Sequence, residues 1–298
     1  MHSKEGIMAP DKLITIEEMV QDVSTIHSLP LFYSRLDEVI SNPRSSITDI
    51  GKVISEDMGL TARILKLSNS PLFGCYSRIE TISQAVTIIG IKQVRDLALA
   101  LSVMDVFAGI PKELINMEQF WQHSIATGLT ARLIATSQRE SNLERFFVAG
   151  ILHDVGRLIM FIKLPELCME MLEECKLNNR LLYQVERERL MFDHAEVGGN
   201  LLRKWKIPPS VAEPVEFHHQ CLRAEQYPRE TSLLHLADVI AHALELGNSG
   251  DVFAPQLDDK VWASLNISPF LLSSLIKQID KTFTETVQAL FGGPTSAR

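Results

Sequence analysis

Apolar residues recur at three- and four-residue steps along almost the whole chain, and this one periodicity fixes the fold class. From Ile47 to Leu67 the pattern runs through Ile50, Val53, Ile54, Met58 and Ile64. It returns from Ile82 to Val106, and again in a last long stripe of Leu271, Leu272, Leu275, Ile279, Phe283, Val287 and Leu290. That last segment opens on Ser268-Pro269, a cap followed by proline in the first turn, and stops at Gly292-Gly293. No run alternates with period two, so the chain reads as all-α. With 298 residues, 46% of them apolar, it can bury a sizeable core.

Breakers fall at Ser41-Asn42-Pro43, at Asn69-Ser70-Pro71 and at Ala108-Gly109-Ile110-Pro111. The last predicts a joint between an N-terminal helical subdomain, residues 20–110, and a second helical subdomain, residues 111–298. Leu246 to Gln256, with Gly247, Asn248, Gly250 and Pro255, reads as a second soft region. The formal net charge of −8 argues against a general nucleic-acid binder, which would carry a basic face. Ala85 to Val94 has a weak helix-turn-helix cadence, but its first step is one residue too long and LALALSVM has no polar face to read a groove. Arg63, Lys66, Arg78, Lys92 and Arg95 read as a solvated face. Cys75, Cys168, Cys175 and Cys221 form no CxxC pair, which suits a reducing cytoplasm. MHSKEGIMAPDKL is no secretory signal, and no apolar stretch is long enough to span a membrane. A cytoplasmic protein is expected.

Polar residues in apolar surroundings carry the chemistry. His123 lies in FWQHSIATGLTARLIA, where Ala126, Thr127 and Gly128 allow close helix packing. His153 and Asp154 interrupt the apolar helix VAGILHDVGRLIM, which Gly156-Arg157 is expected to close. An unpaired carboxylate there would cost several kcal/mol, roughly the penalty for a buried charge, and a bound cation would offset it. His194 opens a helix capped by Asp193, with Glu196 three residues on. His218 and His219 end the next helix, with Ser210 expected as its cap and Glu213 at the matching offset. Asp238 sits mid-helix among apolar neighbours in LLHLADVIAHAL. His235 and His242 share its stripe, three before and four after it. A site on that stripe alone would leave a coordination shell unfilled, and either histidine could instead orient a ligand from behind. His2 and His27 have no supporting context.

The order His, His-Asp, later Asp resembles the HD superfamily of metal-dependent phosphohydrolases. The inserted His194 and the His218-His219 pair resemble its two-metal branch, the HD-GYP phosphodiesterases. A closer resemblance is to the HDOD domain, the HD-related output domain of bacterial signalling proteins. It rests on LPLFYSRLDEVI, ISEDMGLTARILKLSNSPLFG, ISQAVTIIGIKQVRDLALA and FDHAEVGGNLLRKWKIPPSVAEPVEFHH, and covers roughly residues 20 to 240. The resemblance implies a multi-helical HD-type domain preceded by an N-terminal helical subdomain. It implies one metal on His123, His153, Asp154 and Asp238, and a second on His194, His218 and His219, with Asp154 bridging. Such a bridge holds two ions about 3.5–4 Å apart, clamps substrate oxygens and acidifies a bound water. Imidazole and carboxylate ligands suit two divalent transition-metal ions, iron or manganese first and zinc or nickel next.

Two departures shape the functional expectation. The HDxGK string of the HD-GYP proteins reads HDVGR here, and Arg157 keeps the charge without being equivalent to lysine. The GYP loop is missing, with only Tyr227-Pro228 at its place, so the resemblance does not extend to cyclic-di-GMP hydrolysis. Two functions follow. One is an HDOD-type signalling protein with a dinuclear centre at its HD site. The other is an active phosphohydrolase or phosphodiesterase on a nucleotide or other phosphoester, with Asp154 and Arg157 as its catalytic residues and Arg157 holding phosphate. Expected partners are signalling proteins or a phosphorylated small molecule.

Overall fold

In the computed structural model, residues 14–21, 31–75, 77–107 and 110–292 are described. His2, His27, the Ala108-Gly109 part of the expected joint and Gly293 lie outside them. The described residues form α-helices and one 3-10 turn, with no strand among them. The all-α expectation stands.

The first helices are α1 (Ile16–Val20), α2 (Leu31–Ser41), α3 (Ile47–Ser55), α4 (Met58–Ser68), α5 (Ile82–Ile89) and α6 (Ile91–Val106). The breakers at Asn42-Pro43 and Ser70-Pro71 end α2 and α4 as expected. The long apolar runs each divide once. Asp57 accepts from the Leu60 amide and starts α4 afresh. Gly90, at φ +103°, turns the chain between α5 and α6. In α6, Leu97 to Met104 are all buried, so no face of LALALSVM is free for a nucleic-acid groove.

The remaining helices carry the histidines. They are α7 (Met117–Ser137), α8 (Glu144–Leu152), α9 (Val155–Lys163), α10 (Pro165–Asn178), α11 (Leu182–Leu190), α12 (His194–Lys204), α13 (Pro209–Phe217), α14 (Pro228–Ala243), α15 (Asp259–Leu265) and α16 (Pro269–Phe291). Two local expectations are corrected. Ser210 is not the cap of α13: Pro208 holds that place and Pro209 the first helical position, because a fixed φ near −65° suits N1. Gly156-Arg157 do not close α8. The break falls one turn earlier, at His153-Asp154, and Gly156 and Arg157 lie in the first turn of α9.

One hydrophobic core runs from Met19 through Ile54, Leu97 and Phe120 to Val215 and Leu234, on both sides of residue 110. A second joins α7, α14, α15 and α16 through Ile134, Leu236, Val261 and Ile279. Helix α7 contributes to both, which is why it is buried nearly all round rather than amphipathic. Its approach to α8 is close because two glycines face each other. A Cβ on Gly150 would lie 2.3 Å from Gly128 Cα. This contact brings the His123 helix against the His153 helix. No helix among the described residues is long and apolar enough to cross a membrane.

Candidate metal centre

Asp154 occupies the N-cap of α9, where a carboxylate ordinarily accepts from a backbone amide, yet it makes no capping bond. Its oxygens turn inward. Oδ1 lies 3.0 Å from His194 Nε2, 3.9 Å from His218 Nε2 and 3.6 Å from Arg157 Nη2; Oδ2 lies 3.3 Å from His153 Nε2. A second carboxylate, Asp238 on α14, faces the same space. Its Oδ1 is 3.1 Å from His123 Nε2, 3.0 Å from His242 Nδ1 and 3.5 Å from His153 Nε2.

The imidazoles are oriented from behind. His153 Nδ1 donates to Gly150 O and His218 Nδ1 to Val215 O, each at 2.7 Å. That fixes Nε2 as the atom each presents to the centre, the arrangement that metal-ligating histidines favour. Glu186 on α11 holds His194 Nδ1 at 2.6 Å and also takes the His194 amide. Asp193 caps α12 through the Glu196 amide, as the sequence suggests, and so sets His194 at the helix start. His219 stacks on Tyr183 with ring centroids 4.4 Å apart, and its Nε2 lies 3.0 Å from His194 Nε2.

The seven residues expected to form the site, His123, His153, Asp154, His194, His218, His219 and Asp238, therefore converge on one buried region. His242 joins them against Asp238, and His123 packs 4.2 Å from its ring. His235 turns away toward Gln256 O. Buried atoms without a hydrogen-bond partner include His123 Nδ1, His153 Nε2, His218 Nε2, Asp154 Oδ2 and Asp238 Oδ2. Natural interiors leave few such atoms, and these lie on neighbouring ligand-type residues. His123, His153 and Asp154 form one compact set, and His153, His218 and Asp238 another, with ligand atoms within 4.8 Å of one another in each. Nitrogen and oxygen donors of this kind fit a divalent transition metal.

Glu186 and Asp251 belong to the site but were not evident as such in the sequence. Glu186 reads as part of the charged run VERERL. The available signal was its register: Leu182, Val185, Glu186 and Leu190 share the buried stripe of α11. Asp251 and Ser249 lie in the soft 246–256 segment, which has no periodicity to read. Both hold Arg157: its Nη1 donates to Ser249 O and Asp251 Oδ2, each at 2.7 Å. Arg157 is 1% exposed, and its Nη2 faces His194 and Asp154.

The electrostatics split the histidines. Burial pushes His123 down from 6.5 to about 4, helped by His242, and pushes His218 down to about 3, helped by His153. For His153, burial is overcome by Asp154 and Asp238, which hold it up to about 10; Asp238 likewise holds His242 up to about 9. Two carboxylates thus demand a positive charge at His153 Nε2, and a proton or a metal ion can supply it. Each class has its own pH window. His123 and His218 give stability that is complete above pH 6.5 and lost as pH falls toward 4 and 3. His153 and His242 give stability that is complete below pH 6.5 and lost as pH rises toward about 10 and about 9. Metal-free protein is expected to be most resistant to urea near neutral pH and to weaken on both sides. A midpoint that rises steadily from pH 5 to pH 9 would contradict this.

A family model, the HDOD domain, matches residues 26–221. An uncharacterized protein of Treponema pallidum (strain Nichols) is 27% identical over 225 residues, 75% of this chain and 43% of that protein. The chain thus spans less than half the length of this curated relative. Among solved structures, an HDOD domain protein of unknown function from Geobacter sulfurreducens superposes with a TM-score of 0.70 at 24% identity, over 88% of this chain and 91% of that one. A protein from Shewanella amazonensis SB2B with a provisional phosphohydrolase name superposes at 0.72 and 22% identity, over 92% and 97%. At these identities the superpositions speak for the fold.

Proposed function

The chain belongs to the HDOD family, and from that premise we propose that it is a signalling module whose HD-type site binds a divalent transition metal. One observation carries this reading. Buried imidazole nitrogens and carboxylate oxygens face one another without hydrogen-bond partners. Leaving each unsatisfied costs ~1–3 kcal/mol, and a cation between them would satisfy several at once. The ligands proposed for it are His123, His153, Asp154 and Asp238, with His218 adjoining. A bound ion there would supply Lewis acidity and acidify a water. The residues themselves fix the imidazole tautomers, neutralise the ion and keep bulk water out. Signalling proteins or a phosphorylated small molecule are the proposed partners.

A second reading, metal-dependent phosphohydrolase, is favoured by the cavity beside His219. Its volume is about 460 Å³, and Tyr183, Gln220, Arg223 and His235 line it. It would admit a small phosphoester to the edge of the cluster, with Arg223 as the accessible cation.

Elemental analysis of purified protein and melting with and without a chelator test the first reading. Bound metal is expected. At about 100-fold saturation it contributes ~2.7 kcal/mol, so chelation should lower the melting temperature by ~4 °C. Protein of native helicity that takes up no transition metal would sink the proposal. Metal-dependent turnover on a panel of phosphomonoesters, nucleotides and cyclic dinucleotides would move the assignment to the second reading.

A further inference from the structure

Resting on the metal-binding reading above, we infer that this site holds one metal ion and that the Arg157 guanidinium, packed against the second set of donors, keeps another out. The second set of donors is present: Asp154, His194, His218 and His219 bring their ligand atoms within 4.8 Å of one another. What differs is the cation already among them. Arg157 Nη2 lies against the His194 ring, 3.0 Å from Nε2 and 3.4 Å from Nδ1, and 3.6 Å from Asp154 Oδ1. His194 Nε2 and Asp154 Oδ1 are atoms that would face the second ion.

An ion bound about 2.1 Å from His194 Nε2 would lie no more than about 5 Å from that guanidinium nitrogen, inside a buried site where charges are poorly screened. Neither party is free to move away. Arg157 is 1% exposed, and its other nitrogen is fixed by Ser249 O at 2.7 Å, Ser249 Oγ at 3.2 Å and Asp251 Oδ2 at 2.7 Å. His194 is held from behind by Glu186 at 2.6 Å. Its Nε2 also lies 3.0 Å from His219 Nε2. The guanidinium neutralises the Asp154 edge that a second ion would otherwise occupy. At the first position, Asp238 pairs with His123, His153 and His242, and with no arginine or lysine among the described residues.

Metal stoichiometry reads this directly. The full chain is loaded with Mn(II), freed of excess ion by gel filtration, and assayed by elemental analysis and electron paramagnetic resonance. One manganese per chain with an uncoupled six-line spectrum is expected. Two per chain with an exchange-coupled spectrum would overturn the inference while leaving the metal-binding reading intact. No bound manganese, with none of iron, zinc or nickel either, would overturn both. An Arg157→Gln variant that keeps its helicity is expected to gain a second equivalent; if it stays at one, the guanidinium is not what excludes the ion and the inference fails. Because the unaltered protein is measured first, a variant that fails to fold leaves the wild-type stoichiometry to decide.

Discussion

Asp154→Ala is expected to strip the protein of its metal and to cost the fold about 3–5 kcal/mol, the loss typical of breaking a buried charge set by removing one partner. Asp154 is 2% exposed and faces His153, His194, His218 and Arg157 together. Burial alone would raise its carboxyl, but Arg157 and His153 hold it well below the usual carboxylate range. It therefore stands ionised, and its charge offsets theirs. Alanine leaves the buried Arg157 guanidinium with Asp251 as its one remaining carboxylate. The sign is fixed by this geometry, since no solvent reaches the group to compensate. Asp154→Asn separates the two effects: it keeps the volume and removes the charge, so it should lose metal equally and destabilise less. Urea midpoints and elemental analysis measure both. Retention of metal by the alanine variant would remove Asp154 from the ligand set.

The sequence made this residue visible for a physical reason. A carboxylate in VAGILHDVGRLIM has no solvent to face, and the same logic exposes His123, His194, His218 and Asp238. Glu186 and Asp251 escape it. Charged neighbours disguise Glu186, and a loop without periodicity disguises Asp251, although both hold a central member of the site. The fold shows a parallel limit. Periodicity finds helices but not the places where one helix hands over to the next in phase. The apolar stripe passes through Asp57 and Gly90 with no visible interruption, so α3 and α4, like α5 and α6, read as one. Chemistry marks ends better than periodicity does. Ser268-Pro269 and Gly292 bound α16 where expected, whereas the Pro208-Pro209 pair outranks Ser210 at the start of α13. The role of Arg157 lay furthest from reach, because what it touches is set by a loop about ninety residues away.

The packing of α9 against α12 makes Gly156→Ala the other large effect. A Cβ at Gly156 would lie 2.0 Å from His194 O and 2.4 Å from Gly198 N. Both are backbone atoms, so no rotamer change can clear them; one helix must move. Overpacking a core ordinarily costs ~1–3 kcal/mol, and a backbone-to-backbone clash belongs at or above the top of that range. The displacement is also functional. His194 is the first residue of α12, and Asp154 stands two residues before Gly156, so parting these helices pulls His194 Nε2 from Asp154 Oδ1. We expect a loss of at least about 3 kcal/mol in urea denaturation, together with a changed near-ultraviolet circular dichroism spectrum. Gly59→Ala supplies the control. Its Cβ would meet only Asp57 Oδ1, at 3.4 Å, and Gly59 lies exposed in α4. There alanine should stabilise by up to ~1 kcal/mol through helix propensity. If Gly156→Ala stayed within about 0.5 kcal/mol of the parent, as a surface change would, the α9–α12 contact could not be what holds His194 against Asp154.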